Sequence, residues 1–202
     1  MDFKVWIGNL GRYNEGYLVG DWVSLPITFE DFSDVLERIE IDGVHYEEYA
    51  IFDYDIDVPG LSDCLGEYEN IEALNYFAGR LSTMKEWELE TFCSALETGE
   101  HCSNLSELIE LCDGLDNYML IGGVSDYDDL GRYYVEELGT IDFNNAGSLL
   151  EYYFDFSAYG RDIALEEGGV FTENGYIAVI DSSYPDFDYE DIPEEYKLRK
   201  VM

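Results

Sequence analysis

The residues with the clearest spacing for chemistry are three aspartates at alternate positions, Asp53, Asp55 and Asp57. Oxygen ligands at this spacing open the calcium loop of an EF-hand, which also requires glycine at its sixth position and glutamate at its twelfth. This chain has Val58 and Cys64 at those positions. The pattern therefore favours the solvent-facing side of a β-strand over a calcium site.

Cysteines and histidines are the other candidates for metal binding or catalysis. Cys93, His101, Cys102 and Cys112 do not follow the ligand spacing of a zinc site. The chain has no CxxC pair, and we expect its cysteines to be reduced thiols. His45 and His101 lie in no nucleophile or phosphate-loop motif. The sequence predicts no catalytic residue, no metal and no cofactor, and a metal-dependent enzyme is the least supported interpretation.

The first part of the chain, which contains Asp53, Asp55 and Asp57, is predicted to form a β-β-α-β unit. Alternating apolar residues predict a strand over 3–10, and a second extended run, 17–25, makes a hairpin with it. Thr28 is placed to cap a helix. A strand of alternating acidic and aromatic residues over 46–56 follows. We assign residues 1–61 to an N-terminal α+β domain.

The middle of the chain has the apolar periodicity of helices. One helix covers 71–81, and Thr83 with Glu86 has the spacing of a capping box for a second. A third helix begins at Asn104. We assign residues 62–116 to a helical middle domain.

The last third returns to mixed structure. We expect a strand over 118–121, a helix capped by Ser125, and a hairpin over 169–180 that turns at Glu173-Asn174-Gly175. Residues 117–202 form a C-terminal α+β domain that ends in an acidic tail. The fold class predicted is α+β, an elongated array of three small domains. The inward face of the helix after Ser125 should carry Tyr127, Leu130, Tyr134 and Leu138.

Net charge is the most unusual property of the chain. It has 46 Asp and Glu against 10 Lys and Arg, a formal net charge of -36, yet 47% of its residues are hydrophobic and 18 are tyrosine. Disordered acidic chains lack aromatic residues, so the protein is folded. Its charge excludes nucleic acid and anionic membrane as direct partners and favours a basic partner. Halophilic adaptation and solubility are the alternatives, although exposed aromatic residues do not aid solubility.

The sequence contains no apolar run long enough to span a membrane. Its first ten residues lack the features of a secretory signal. A cytoplasmic protein is therefore expected.

The charge matches a defined length of DNA. Duplex DNA carries one negative charge per ~1.7 Å of axis, so 36 charges correspond to ~60 Å of duplex. A compact globule of this length has a radius of gyration of ~17 Å and a diameter of only ~43 Å. An elongated molecule is needed to reproduce the charge density of DNA.

One segment, residues 149–162, is denser in aromatic and aliphatic side chains than a small domain can bury. Such a segment could fold on the rest of the chain or meet a second copy of it, and we expect residues 149–159 to form the interface of a homodimer. The predicted interface residues are Leu149, Leu150, Tyr152, Tyr153, Phe154, Phe156 and Tyr159.

Five runs of sequence resemble the ArdA antirestriction family, in the family's order and over about residues 3–180. They are VWIGNLGRYNEGYLVGDWVSLPI, EEYAIFDYDI, LGEYENIEALN, GRYYVEELG and LLEYYFDFSAYGRD. The resemblance implies an elongated, three-domain α+β dimer, encoded on mobile genetic elements, whose acidic surface mimics bent B-form DNA. By position, the antirestriction motif of the family falls on about residues 140–156. The tail over 181–202 extends beyond the usual end.

The resemblance implies that such a protein blocks type I restriction–modification enzymes without chemistry, by occupying the DNA groove of the methyltransferase core and specificity subunit. The alternative is an acidic adaptor or inhibitor of another basic DNA-binding protein, such as a histone-like protein or a regulator. The predicted DNA-mimic surface comprises Glu47, Glu48, Asp53, Asp55, Asp57, Glu67, Glu69, Glu86, Glu88, Glu90, Glu107, Glu110, Asp126, Asp128, Asp129, Glu136 and Glu137.

Overall fold

A computed structural model describes residues 1–143 and 152–199 of the protein. The described chain contains seven α-helices and two three-stranded antiparallel sheets. The α+β class predicted from the sequence is confirmed. The division into three domains in an elongated array stays a prediction.

The chain divides into two compact units. Unit 1 comprises residues 1–89, 99–113 and the chain from residue 185 onward. Unit 2 comprises residues 90–98 and 114–184. Each unit contains one of the two sheets, and each is described below by itself.

The sheet of unit 1 has the strand order β2-β1-β3. Its strands are β1 (Phe3–Asn9), β2 (Gly20–Ser24) and β3 (Tyr49–Ile56). The alternation of β1 buries its odd-numbered apolar residues, all less than 3% exposed. Side chains at alternate positions of a strand share a face, so this burial confirms the predicted alternation. The strands β2 and β3 are the two edges of the sheet.

The loop between β1 and β2 differs from the prediction. A short helix, α1 (Leu10–Asn14), occupies the first half of it, and the Asn9 side chain caps this helix by accepting a hydrogen bond from the Arg12 backbone N–H. The strand β2 therefore begins at Gly20, three residues later than predicted.

Three helices of unit 1 begin near the predicted residues. Helix α2 (Phe29–Arg38) is capped by Thr28, as predicted, through a hydrogen bond from the Asp31 N–H to Thr28 Oγ1. Helices α3 (Ile71–Thr83) and α5 (Leu105–Asp113) bury the apolar stripes expected of them. The strand after α2 begins at Tyr49 instead of residue 46.

Helix α4 (Glu86–Thr98) has its first four residues in unit 1 and the rest in unit 2. The capping box predicted for it is wrong. Thr83 Oγ1 donates to carbonyl groups within α3, and it is Glu88 that accepts a hydrogen bond from the backbone N–H of Lys85, 2.7 Å away. The reciprocal hydrogen bond of the first turn therefore joins Lys85 and Glu88, two residues later than the predicted pair of Thr83 and Glu86.

The sheet of unit 2 has the order β4-β6-β5, with strands β4 (Tyr118–Gly122), β5 (Val170–Thr172) and β6 (Gly175–Val179). The predicted hairpin is confirmed. Thr172 pairs with Gly175, so Glu173 and Asn174 form the two-residue loop and Gly175 already belongs to β6.

Helices α6 (Tyr127–Arg132) and α7 (Phe156–Glu167) pack closely in unit 2. A π-helical turn, Tyr133–Glu137, extends α6. Glycines allow the helix backbones to meet: a Cβ on Gly160 would lie against the Tyr127 carbonyl and 2.7 Å from Gly131 N.

The predicted orientation of α6 needs correction. Its cap is Asp126, which accepts from the Asp129 N–H, and not Ser125. Of the predicted inward face, Leu130 is fully buried and Tyr134 is half-buried. Tyr127 and Leu138 are 40% and 53% exposed. Tyr127 is the first residue of α6 and Leu138 follows the π-helical turn, so the two exposed side chains lie at the ends of the helical segment.

The segment 185–199, which we call the tail strap, belongs to unit 1. It contains two short 3₁₀ turns, Tyr189–Asp191 and Glu194–Tyr196. Ile192 is only 3% exposed. The tail therefore packs on unit 1, while its six carboxylates stay exposed: Asp186, Asp188, Glu190, Asp191, Glu194 and Glu195.

Candidate functional site

Two carboxylates on the edge strand β3 and a third directly after it give unit 1 a regular acidic row. Asp53, Asp55 and Asp57 are exposed and alternate with the half-buried Tyr54 and Ile56. A strand rises 3.2–3.4 Å per residue, so carboxylates two residues apart are separated by about 6.6 Å along it. That distance is close to the axial rise of two phosphates on one DNA strand, about 6.8 Å. The backbone pairing of β3 with β1 fixes Asp53 and Asp55. The Asp57 backbone N–H donates to the Asp2 carbonyl directly after the strand.

Two members of this row interact with other groups of unit 1. Lys4 Nζ lies 3.6 Å from Asp55 and 2.9 Å from Asp2, so part of the Asp55 charge is neutralised. Asp57 accepts a hydrogen bond from the Asp2 backbone N–H. Tyr54, between Asp53 and Asp55, donates its hydroxyl to the Gly66 carbonyl at 2.6 Å, and burial raises its pKa. Its ring lies on the opposite face of the strand from the two acids, where this hydrogen bond holds β3 against the segment that contains Gly66.

Eleven of the seventeen predicted mimic carboxylates are exposed. They are Glu47, Glu48, Asp53, Asp55, Asp57, Glu67, Glu86, Glu90, Asp126, Glu136 and Glu137. The other six are half-buried: Glu69, Glu88, Glu107, Glu110, Asp128 and Asp129.

Most half-buried carboxylates hold local structure. Glu69 accepts from the Gly66 N–H, and Glu88 closes the first turn of α4. Glu107 accepts from the Ser103 N–H, a hydrogen bond that lowers the pKa of Glu107. These side chains have a structural task as well as a charge.

Glu110 is the predicted mimic residue least suited to meeting a partner. Its side chain is 16% exposed. Its two oxygens accept from the Phe187 backbone N–H and contact His101 Nε2, each at 2.9 Å. Spacing along α5 placed Glu110 on the outer face, but the tail strap covers that part of the helix.

Three of the predicted mimic carboxylates of unit 2 lie at the start of α6: Asp126, Asp128 and Asp129. The Asp129 carboxylate accepts from the Ser125 hydroxyl and backbone N–H, which lowers the pKa of Asp129. Arg132 lies 2.6 Å from Asp128 and 3.4 Å from Glu136. Its guanidinium is 4.3 Å above the Phe156 ring. Asp128 and Glu136 are therefore partly neutralised, whereas Asp126 and Glu137 face solvent.

The cations of the chain are mostly engaged with its own acids. Eight of the ten Lys and Arg residues lie within 4 Å of a carboxylate in the described residues. These eight are Lys4, Arg12, Arg38, Arg80, Lys85, Arg132, Arg161 and Lys197. Little positive charge is left to offset the exposed acids, so the surface is negative where a basic partner would meet it.

The predicted dimer residues fall into three groups. Leu149 and Leu150 lie outside the described residues. Tyr152 and Tyr153 are 80% and 74% exposed. The remaining residues, Phe154, Phe156 and Tyr159, form a ring cluster within unit 2, with centroids 5.0–5.6 Å from that of Phe154. Phe156 is only 7% exposed, so its side chain packs in the interior of unit 2 and is not available to a second copy of the chain. The dimer interface stays a prediction.

The cysteines and histidines belong to local structure. Cys112 is buried, which raises the pKa of its thiol, and it donates to the Leu108 carbonyl. His45 and His101 are each 2.9 Å from a carboxylate, of Asp42 and Glu110 respectively. Across residues 1–143 and 152–199, no group of three or more His, Cys, Asp or Glu side chains is arranged to hold a metal ion.

Sequence reasoning missed Asp42. Its Oδ1 accepts hydrogen bonds from the backbone N–H groups of Val44, His45 and Tyr46, and these hold its pKa far below the usual range. Asp42-Gly43 in the sequence is a turn signal that could have identified it. This carboxylate shapes the turn before β3.

Comparison with known proteins defines the class of the chain. The antirestriction protein (ArdA) family matches residues 5–178, and the chain belongs to this family. No curated protein matches it. The match agrees with the range of about 3–180 over which the sequence resembles the family, and family membership implies an antirestriction protein.

Within the described residues, no helix is long and apolar enough to cross a membrane.

Proposed function

We propose that this protein is a homodimeric DNA mimic that inhibits type I restriction–modification enzymes. Its acidic surface occupies the DNA groove formed by the methyltransferase core and specificity subunit. It acts as an inhibitor and not as an enzyme, in the cytoplasm. The observation that carries the proposal is the set of exposed carboxylates on a chain whose cations are engaged internally, in a member of the ArdA family.

Electrostatics supply the mechanism. A DNA groove is lined with Lys and Arg spaced to meet phosphates, and much of its affinity for duplex comes from those charges. Carboxylates fixed at a similar spacing, such as those on β3, would pair with the same cations and exclude duplex. Because the interaction resembles that of DNA, inhibition should weaken as salt concentration increases.

The elongated form is part of the proposal. Three small domains over residues 1–61, 62–116 and 117–202 would spread the charge over a length comparable to that of duplex. Small-angle X-ray scattering measures this length. A round particle in solution would contradict mimicry of an extended duplex.

Competition for duplex tests the function. A labelled DNA duplex bound to a type I methyltransferase should be displaced by the protein. Displacement should fail at high salt. If the protein instead binds isolated histone-like proteins and leaves the methyltransferase–DNA complex intact, the acidic-adaptor alternative is correct.

The acidic row of Asp53, Asp55 and Asp57 gives a graded version of this test. An exposed ion pair contributes about 0.2–1 kcal/mol, so Asp53→Asn alone should weaken inhibition at most about fivefold. The triple change Asp53→Asn, Asp55→Asn and Asp57→Asn removes up to about 3 kcal/mol, or about 150-fold. The matched control changes the same three residues to Glu, which keeps the charge. Loss of all inhibition on one neutralisation would contradict distributed mimicry.

The homodimer has its own test. Tyr153→Glu places a charge in the predicted interface and should yield monomers by multi-angle light scattering. Tyr68→Glu is the control, since Tyr68 in unit 1 is 73% exposed and Tyr153 is 74% exposed. If Tyr153→Glu leaves the dimer intact, this interface is wrong.

A further inference from the structure

The tail strap lies beyond the part of the chain that matches the family, which ends at residue 178. Within unit 1 it contacts helices α3 and α5. Tyr76 of α3 contacts two of its rings: it stacks on Phe187, with centroids 6.2 Å apart, and meets Tyr196 edge to face at 5.4 Å. On α5, the Ser106 hydroxyl lies 3.1 Å from that of Tyr189. The strap thus follows a surface made by two helices.

A glycine in the middle of α3 makes room for the strap. Gly79 is buried, and a Cβ at this position would lie 2.7 Å from Cζ and Oη of Tyr196. Glycine inside a helix is unfavourable relative to alanine. Here the missing Cβ leaves a notch that the Tyr196 ring fills.

Backbone atoms of the strap are bound by side chains of the same two helices. Asn75, fully buried, donates to the Tyr196 carbonyl at 3.0 Å. Glu72 accepts from the Leu198 N–H at 2.8 Å, and Glu110 accepts from the Phe187 N–H at 2.9 Å. These contacts recognise main-chain groups of an extended segment, as in peptide binding.

We propose that the groove on α3 and α5 is a peptide-docking site whose ligand is the chain's own tail strap. The ligand is an extended segment whose Phe187 and Tyr196 rings contact α3 and whose carboxylates face solvent. Docking completes the core of unit 1, and the strap is a structural part of the fold. This proposal is independent of the restriction enzyme and holds or fails on the isolated protein.

Gly79→Ala tests the proposal in the full-length protein. With the strap docked, the new methyl group collides with Tyr196. We expect the melting temperature to fall and the amides of Phe187 and Leu198 to exchange with deuterium about tenfold faster, since each loses a hydrogen bond. In a Tyr196→Ala background the collision is absent. There Gly79→Ala should raise the melting temperature by roughly 1–4 °C through helix propensity.

The sign of the Gly79→Ala effect decides the outcome. The proposal would be overturned if Gly79→Ala raised the melting temperature equally with Tyr196 present and with Tyr196→Ala, and left deuterium exchange of the strap amides unchanged. Tyr196→Ala alone gives a second measurement that does not depend on the alanine methyl group. It should speed strap exchange, whereas the control Tyr68→Ala should not. If the strap amides exchange with deuterium as slowly in Tyr196→Ala as in the unchanged protein, the proposal is also overturned.

Discussion

Gly160→Ala should destabilise unit 2, although alanine is the better helix former. The new Cβ would lie against the Tyr127 carbonyl and 2.7 Å from Gly131 N, both backbone atoms of the facing segment. A backbone cannot swing aside as the tip of a long side chain does, so α6 and α7 must separate. Overpacking costs about 3 kcal/mol at the upper end of its usual range, and alanine returns about 1 kcal/mol of helix propensity.

The net loss expected is therefore about 2 kcal/mol, equivalent to a fall in melting temperature of roughly 4–8 °C for a protein of this size. Urea unfolding followed by circular dichroism measures it. Ser157→Ala, an exposed change on the same helix, is the control and should be nearly neutral. Adding Gly131→Ala to Gly160→Ala should cost less than the sum of the two, because the first change has already widened the crossing. A Gly160→Ala protein as stable as the unchanged one would refute the reasoning.

Two further predictions concern single polar side chains. Asn75 forms hydrogen bonds with the N–H and C=O of Ile27 and with the C=O of Tyr196. Asn75→Ala should therefore destabilise unit 1 by about 1–3 kcal/mol for each main-chain group left without a partner, measured by urea unfolding. An unchanged urea midpoint would contradict this structural role of Asn75. Asp129 has a lowered pKa, so its stabilising effect is complete above the ordinary value of 3.8 and is lost as pH falls through the folded value. Asp129→Asn should therefore lower the melting temperature at neutral pH, and the difference should shrink on acidification; a difference constant with pH would contradict the assignment.

Local signals in the sequence located most elements. The alternation of Phe3, Val5 and Ile7, the cap at Thr28 and the apolar stripe of α3 each depend on residues close in the chain. One error arose where two neighbouring residues, Ser125 and Asp126, had equal capping ability. Here the choice depends on the entry angle of the chain, which packing decides.

In the candidate site, too, the sequence predicted the features that depend on neighbouring residues and not those that depend on distant ones. Exposure of the acids on β3 follows from strand alternation, so the sequence was sufficient. The environment of Glu110 was not predictable, because Phe187, which covers it, lies 77 residues away. The notch at Gly79 was invisible for the same reason, since a helical glycine alone does not identify the ring that fills the space.

The position of Asp53 and Asp55 on an edge strand has a consequence for protein handling. An uncovered strand edge invites another chain to add to the sheet, and closely spaced like charges prevent two such edges from joining. The same carboxylates would then also protect the protein from aggregation. Variants that neutralise the row should be kept dilute, and their solubility should be checked before any loss of activity is interpreted.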